Sequence, residues 1–398
     1  MADLRQNTWT LDEWYAQAVA GTQGEYVAGG QLWTWGTNTR GQQGRNESQP
    51  DMGASSSPAQ VGTEANFNKF FGPTWSDTWT ASVIKSDGTL WSWGYGRFGT
   101  LGQPEIGPSP STYLRSSPVQ IPGTTWSKGA TNYYMQGVIK TDATLWTWGY
   151  NFKGQLGHNN ESPSTEGYSS PTQLPGSWSE IGCDYKGAAG VKTDGTLWSW
   201  GYNAFGQLGH NNRTNYSSPK QVGTDTDWLK PTGGTYQMIV SKTDGTLWSW
   251  GLNDNGVGGY NLNPGVRSSP VQIPGEWNTS TLSRGRSSAG CIRPDGSAML
   301  WGRNGRGQMG QNSTSPGEIS PVQLPGTYTD IGTGYNTNGY VKTDGTLWMA
   351  GYNKADGWGA LGQNSSTHDR SSPVQVGTDT SWLSVDVVGG QNVMARKG

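Results

Sequence analysis

The chain has 398 residues, a formal net charge of −2 and only 14% charged residues, with no basic run of the kind that drives binding to nucleic acid. Hydrophobic residues make up 32%, yet 62 glycines, 22 tryptophans and 17 tyrosines point to a core of few, very large side chains rather than to a missing one. No stretch approaches the roughly 20 apolar residues of a membrane span, and Cys183 and Cys291 stand at unrelated spacing, which argues against a disulfide framework.

Residues 1–24 have no counterpart elsewhere in the chain. Met1–Thr8 lacks the apolar core of a signal peptide. Thr10-Leu-Asp-Glu13 is a capping box, Gly21 suits the residue after a helix end, and Leu11, Trp14, Tyr15, Ala18 and Val19 form one apolar stripe. The pattern predicts a short amphipathic helix. It packs on its own body or docks into a partner; Leu11, Trp14, Tyr15 and Ala18 are the candidate partner-binding residues of this segment.

From residue 25 onward one repeat recurs. Trp-Gly appears at Trp35, Trp93, Trp148, Trp200, Trp250 and Trp301, and Ala350-Gly351 takes its place in the seventh copy. Copies of about 50 residues fit a four-stranded propeller blade better than a helical repeat. Three motifs keep their order inside each copy. The first is a hairpin, clearest at Val191-Lys-Thr-Asp-Gly-Thr-Leu-Trp-Ser-Trp-Gly201, where Asp-Gly marks a tight turn. Ala143 replaces that glycine in one copy, so the turn there is expected to be strained or of another type. The second is Gly-Gln-Leu-Gly, at Gly154–Gly157 and Gly206–Gly209 with five variants. The third is Ser-Pro-x-Gln, starting at Ser57, Ser117, Ser170, Ser218, Ser269, Ser320 and Ser372, whose proline belongs on an edge strand.

A ring of blades needs its ends joined, since open strand edges invite association. Offsets counted from Trp126 place Met394-Ala395-Arg396 as the strand that continues into Leu32–Gly36, so that both termini share one blade. Tyr26-Val27-Ala28 is the rival for that position if Gly30 matches Gly88. The reading is therefore all-β, a seven-bladed β-propeller over residues 25–398 with a helical docking segment over 1–24.

Loops after the Gly-Gln-Leu-Gly motif run longer in the first copies, at Arg45–Ser55, Gln103–Arg115 and His158–Tyr168. The connection Gly62–Thr74 is also long and holds Phe67, Phe70 and Phe71, half of the chain's 6 phenylalanines. These three are candidate partner contacts, with folding back over the blade as the equal alternative. No catalytic constellation emerges. The recurring aspartates Asp87, Asp142, Asp194, Asp244, Asp295 and Asp344 are turn residues, and His158 and His210 lie a whole repeat apart, too far to share a metal. No catalytic, cofactor or metal-binding residue is expected, and no cofactor.

The string Asp-Gly-x-Leu-Trp-Ser-Trp-Gly-x-Asn-x-x-Gly-Gln-Leu-Gly resembles the regulator-of-chromosome-condensation repeat over about Gln31 to Gly398. The resemblance implies a seven-bladed propeller and leaves function open, because one fold hosts many functions. Residues Asn7 to Gly21 resemble the start of repeat-bearing structural proteins of marine bacteriophages. That resemblance implies a non-enzymatic structural or adhesion protein of the virion (tail, fibre or capsid decoration). Its partners would be other virion proteins, through the N-terminal helix, and a host-surface glycan or protein. Neither nucleic acid nor membrane insertion is expected. A carbohydrate-binding propeller with exposed repeat tryptophans is the alternative, and a guanine-nucleotide exchange factor the remote one.

Overall fold

The computed structural model describes residues 29–47, 53–72, 80–103, 114–161, 167–262, 265–353, 359–388 and 391–398. Leu11, Trp14, Tyr15 and Ala18, and the helix expected around them, lie outside the described residues. The described residues are all-β apart from two single turns of 3-10 helix.

Each repeat folds as four consecutive antiparallel strands. In the first unit these are Phe67–Phe71, Thr80–Lys85, Leu90–Tyr95 and Leu114–Ile121. The next three units begin at Trp126–Thr131, Trp178–Cys183 and Trp228–Gly233. The fifth begins at Asn278–Arg284 and is fused to the sixth, because Gly317–Thr333 is the last strand of one and the first of the other. The seventh is composite: Trp382–Val388, Asn392–Lys397, Gln31–Gly36 and Ser55–Gln60 pair in that order. Among the described residues this makes seven four-stranded units. Their first strands touch one another in sequence, and Trp382–Val388 touches Phe67–Phe71, so the contacts return to their start. The Ser-Pro strands are the last of every unit, as the missing proline N–H requires.

Two sequence expectations need correction. Phe67, Phe70 and Phe71 sit not in a loop but on the first strand of unit one, where Phe67 pairs with Lys85 as Trp126 pairs with Lys140. Phe67 is buried at the place of the tryptophan found in other units, Phe71 is buried against Gly129 of the next unit, and Phe70 stays partly exposed toward the ring centre. The closing strand is also one residue out of the counted register. Ala395, not Met394, is the counterpart of Val138, because Trp382 pairs with Lys397, one residue further on than Trp126 with Lys140. Side chains alternate faces along a strand, so a one-residue slip would turn the lysine away from its partners. In the observed register Lys397 lies over Trp33 and Trp382, as Lys140 lies over Trp126 and Trp146.

The repeated motifs act between units. The six repeat tryptophans of the Trp-Gly motif are fully buried, and the indole N–H of each donates to a carbonyl in the Gly-x-x-Gly loop of the preceding unit. These bonds are Trp93 to Gln42, Trp148 to Thr100, Trp200 to Gln155, Trp250 to Gln207, Trp301 to Val257 and Trp35 to Ala360, at 2.8–3.1 Å. Unit six has Ala350 at this place. There Tyr340, on the neighbouring strand, is buried instead and its hydroxyl donates to Gln308 O. The last glycine of the loop is needed for this approach: a Cβ on Gly209 would meet the Trp250 indole at 2.9 Å, and φ is +78°. At the opposite end the turn residues Gly88, Ala143, Gly195, Gly296 and Gly345 accept from the first aromatic residue of the next unit, as Gly195 O does from Trp228 N. Gly30 does the same for Phe67, and so joins the seventh unit to the first.

Candidate functional site

The turn aspartates hold turns. Asp194 Oδ1 accepts from Thr196 N and from Thr196 Oγ1, which in turn accepts from Trp198 Nε1. The same triplet recurs at Asp87, Asp142, Asp244 and Asp344. These bonds stabilise the carboxylate and lower its pKa. His158 and His210 lie 3.0 Å from the hydroxyls of Thr147 and Ser199, each inside its own unit. Burial, then the Lys220 charge, lowers the His210 pKa to about 4, so the ring is neutral near pH 7. Among the described residues no three His, Cys, Asp or Glu side chains are grouped to hold a metal, and both cysteines are buried and free.

The first strands enclose a central cavity of about 290 Å³, lined by residues from all seven, including Phe70, Cys183, Thr232, Asp330 and Asp386. Most of its charges are spent between units. Lys230 Nζ donates to Ser280 O at 3.3 Å, the Arg284 guanidinium donates to Gln237 Oε1 at 2.9 Å, and Asp330 Oδ2 accepts from Val385 N at 2.8 Å. Burial raises the Asp330 pKa to about 6, and burial followed by the Asp330 charge raises that of Asp386 to about 7. The Phe70 and Phe71 side chains belong to this cavity wall.

A different surface gathers the exposed chemistry. The connections between first and second strands and between third and fourth strands lie at one end of the ring. There Tyr133, Tyr134, Tyr150, Tyr185, Tyr202, Tyr236, Phe98 and Phe205 are partly exposed, and Phe152 is 40% exposed. The rings form one continuous cluster across four units. Phe98 meets Tyr150 at 4.7 Å, Tyr150 meets Tyr134 at 5.4 Å, Tyr134 meets Tyr185 at 5.3 Å and Tyr185 meets Tyr236 at 5.2 Å. Tyr236 continues to Phe205 at 4.7 Å, and Tyr150 stacks on Phe152 at 5.8 Å with planes 5° apart. Lys186 Nζ sits among them, 5.8, 5.2 and 5.6 Å from the rings of Tyr134, Tyr185 and Tyr202. Burial and then the Lys153 charge lower the Lys186 pKa. Burial raises the Tyr236 pKa to about 12, which keeps its hydroxyl protonated. Around the rest of this end Arg286 and Arg303 lie over Tyr335, and Arg306 over Tyr352.

Sequence reasoning missed this cluster because it searched for catalytic types. A signal existed: a tyrosine follows Trp-Gly or Ala-Gly at Tyr95, Tyr150, Tyr202 and Tyr352. A side chain repeated at a loop position, outside the buried strand pattern, marks one end of a ring. The repeat tryptophans do not serve as sugar platforms, because all six lie inside the units.

Comparison with known proteins agrees with the repeat. The family model of the regulator of chromosome condensation (RCC1) repeat matches residues 142–183 and 194–237. The Arabidopsis thaliana ultraviolet-B receptor UVR8 is 25% identical over 193 residues, which is 48% of this chain and 42% of that protein. A Danio rerio RCC2 homologue is 35% identical over 81 residues, 19% of this chain and 16% of that protein. The chain thus spans less than half the length of these relatives. Among solved structures, Prp20p of Saccharomyces cerevisiae, described with its binding to Gsp1p and histones, superposes with a TM-score of 0.79 at 16% identity, covering 93% of this chain and 92% of that one. Human WBSCR16 gives 0.77 at 16% identity, covering 92% and 100%. Both share the fold. The motif recurs seven times, the repeat model matches residues 142–183 and 194–237, and the architecture is shared: the chain carries repeats similar to those of the regulator of chromosome condensation on a common propeller fold.

Proposed function

We propose that the chain is a seven-bladed, non-enzymatic binding propeller that holds a macromolecular partner against the tyrosine face, and that it serves as a structural component of a virus particle. The observation that carries the first half is the nine-ring cluster around Lys186, partly open to solvent. Tyrosine, phenylalanine and cations held over rings supply large contact area at small entropic cost, the composition of interface hot spots. The virion setting rests on the resemblance of residues 7–21 and on a composition poor in lysine and rich in glycine, asparagine and serine. In this reading residues 1–24 dock the propeller into its particle through Leu11, Trp14, Tyr15 and Ala18.

The parallel pair Tyr150 and Phe152 favours a second reading, a host-surface glycan stacked on those rings. Binding to Gsp1p and histones is described for Prp20p, which shares the fold, and guanine-nucleotide exchange stays the remote alternative here. Mass spectrometry of purified particles tests the setting, and incorporation of chains truncated by residues 1–22 tests the docking segment. The expected result is a folded, soluble truncated propeller that no longer enters particles. Normal incorporation of the truncated chain refutes the docking role, and absence of the intact chain from particles refutes the virion reading. Replacing Tyr150 and Tyr236 by alanine is expected to abolish partner binding with thermal unfolding unchanged, since both rings are partly exposed. Retained binding refutes the face.

A further inference from the structure

The two ends of the ring carry opposite charge. Antiparallel strands send all Asp-Gly turns to one end and the tyrosine-bearing connections to the other. At the turn end Asp87, Asp142, Asp194, Asp244, Asp295 and Asp344 are all exposed. Each uses Oδ1 to accept from the residue two positions on, which fixes the carboxylate in place and leaves Oδ2 outward. None of the ion pairs among the described residues involves one of these six carboxylates. The lysines nearest to them are drawn back over tryptophan rings, as Lys192 lies 3.7 Å from the Trp198 centroid. At the other end Arg97, Lys153 and Lys186 lie over aromatic rings and take part in no ion pair among the described residues.

We infer that the cationic, aromatic face of one copy receives the aspartate-lined turn end of a second copy, so that the propellers associate head to tail. This rests on the reading of the tyrosine face as the binding surface and names its partner. Charge complementarity selects the occupant. The chain as a whole is nearly neutral at −2, and the exposed turn carboxylates stand at the end opposite Arg97, Lys153 and Lys186. The turn carboxylates recur in six consecutive units, so a second ring stacked on the same axis brings a row of them over units one to three, which carry Arg97, Lys153 and Lys186. Because the two contacting surfaces differ, the contact is heterologous, and a stack can continue beyond two copies.

Sedimentation velocity of the full chain at about 20 mM and about 500 mM salt tests the inference, since exposed charges are screened at the higher strength. Concentration-dependent association at low salt, weakened about tenfold or more at high salt, is the expected result. Two variants then separate the ends. Asp142→Asn with Asp194→Asn and Asp244→Asn keeps the turn acceptors but removes charge, and Lys153→Glu with Lys186→Glu reverses charge on the face. Each variant alone is expected to be monomeric, because each lacks one end. Mixed together they are expected to form a 1:1 dimer that grows no further, as the one intact face meets the one intact turn end. A monomeric wild-type chain at every salt concentration overturns the inference, as does a dimer that either variant forms alone. If the chain is monomeric while the Tyr150 and Tyr236 substitutions still abolish binding of another partner, the stacking fails and the reading of the face survives.

Discussion

Unit six offers a stringent test of how the ring is packed, because it solves the common problem with different residues. Everywhere else a tryptophan fills the space between units and donates to the preceding loop; here Ala350 leaves that space and Tyr340 fills it, donating to Gln308 O. The residue at the position of Tyr340 is Val138 in unit two and Val240 in unit four. Tyr340→Val should therefore open a cavity and orphan a buried carbonyl, at a combined cost of about 4 kcal/mol. Ala350→Trp alone should clash with Tyr340 and cost about 2–3 kcal/mol. The double variant restores the arrangement of the other six units, and its loss should be about 1 kcal/mol, far below the sum of the singles. Denaturant unfolding followed by tryptophan fluorescence measures all four proteins. If the double variant is as unstable as the singles added together, Tyr340 is not standing in for the tryptophan and the packing argument is wrong.

Other consequences follow from the same geometry. Ala143 occupies the turn-glycine position with φ 64°, so Ala143→Gly is expected to stabilise the chain by about 1 kcal/mol in thermal unfolding; a loss would mean that the turn is not strained. Deleting residues 394–398 removes most of the strand between Trp382–Val388 and Gln31–Gly36 and should destabilise the ring by more than about 4 kcal/mol, whereas unchanged unfolding would show that another segment closes it. Asp386 has its pKa raised by burial to about 7, so the folded state holds a proton that the unfolded chain gives up near pH 4. Its contribution to stability is full below pH 4 and is lost as pH rises to about 7. Asp386→Asn should therefore gain on the wild type across that window, and parallel pH profiles would show that the carboxyl is not protonated in the fold.

The fold was legible because the motifs serve the same contacts in every unit. Trp-Gly, Asp-Gly-Thr and Gly-x-x-Gly each mark a buried ring, a turn and a close approach whose chemistry depends on residues a few positions apart. The first strands were less legible. They are short, and in unit one Phe67 replaces the tryptophan, so that Phe67–Phe71 read as an insertion while its role is set by pairing with Thr80–Lys85. The register of the closing strand failed by one residue for a related reason, since a count along the sequence cannot see where Lys397 must lie to meet Trp33 and Trp382. The tyrosine face was missed because it is assembled from two sets of connections in four units, and no one stretch of sequence contains more than two of its rings in succession.

The composite unit also governs how the ring is made. Trp382 and Lys397 are neighbours in a hairpin, but Leu32 pairs with Arg396, a contact across almost the whole chain. By loop-closure entropy that second pairing costs about 3 kcal/mol more to form from the open chain than the hairpin does. Six units can fold locally as they emerge from synthesis, and their assembly brings Gln31–Gly36 near its partner before the last strand exists. Until then the edge of Gln31–Gly36 stands open to any strand nearby, including that of another nascent copy. A swap at this one seam, with the C-terminal strand of one molecule completing another's ring, is the misassembly to which this architecture is most exposed.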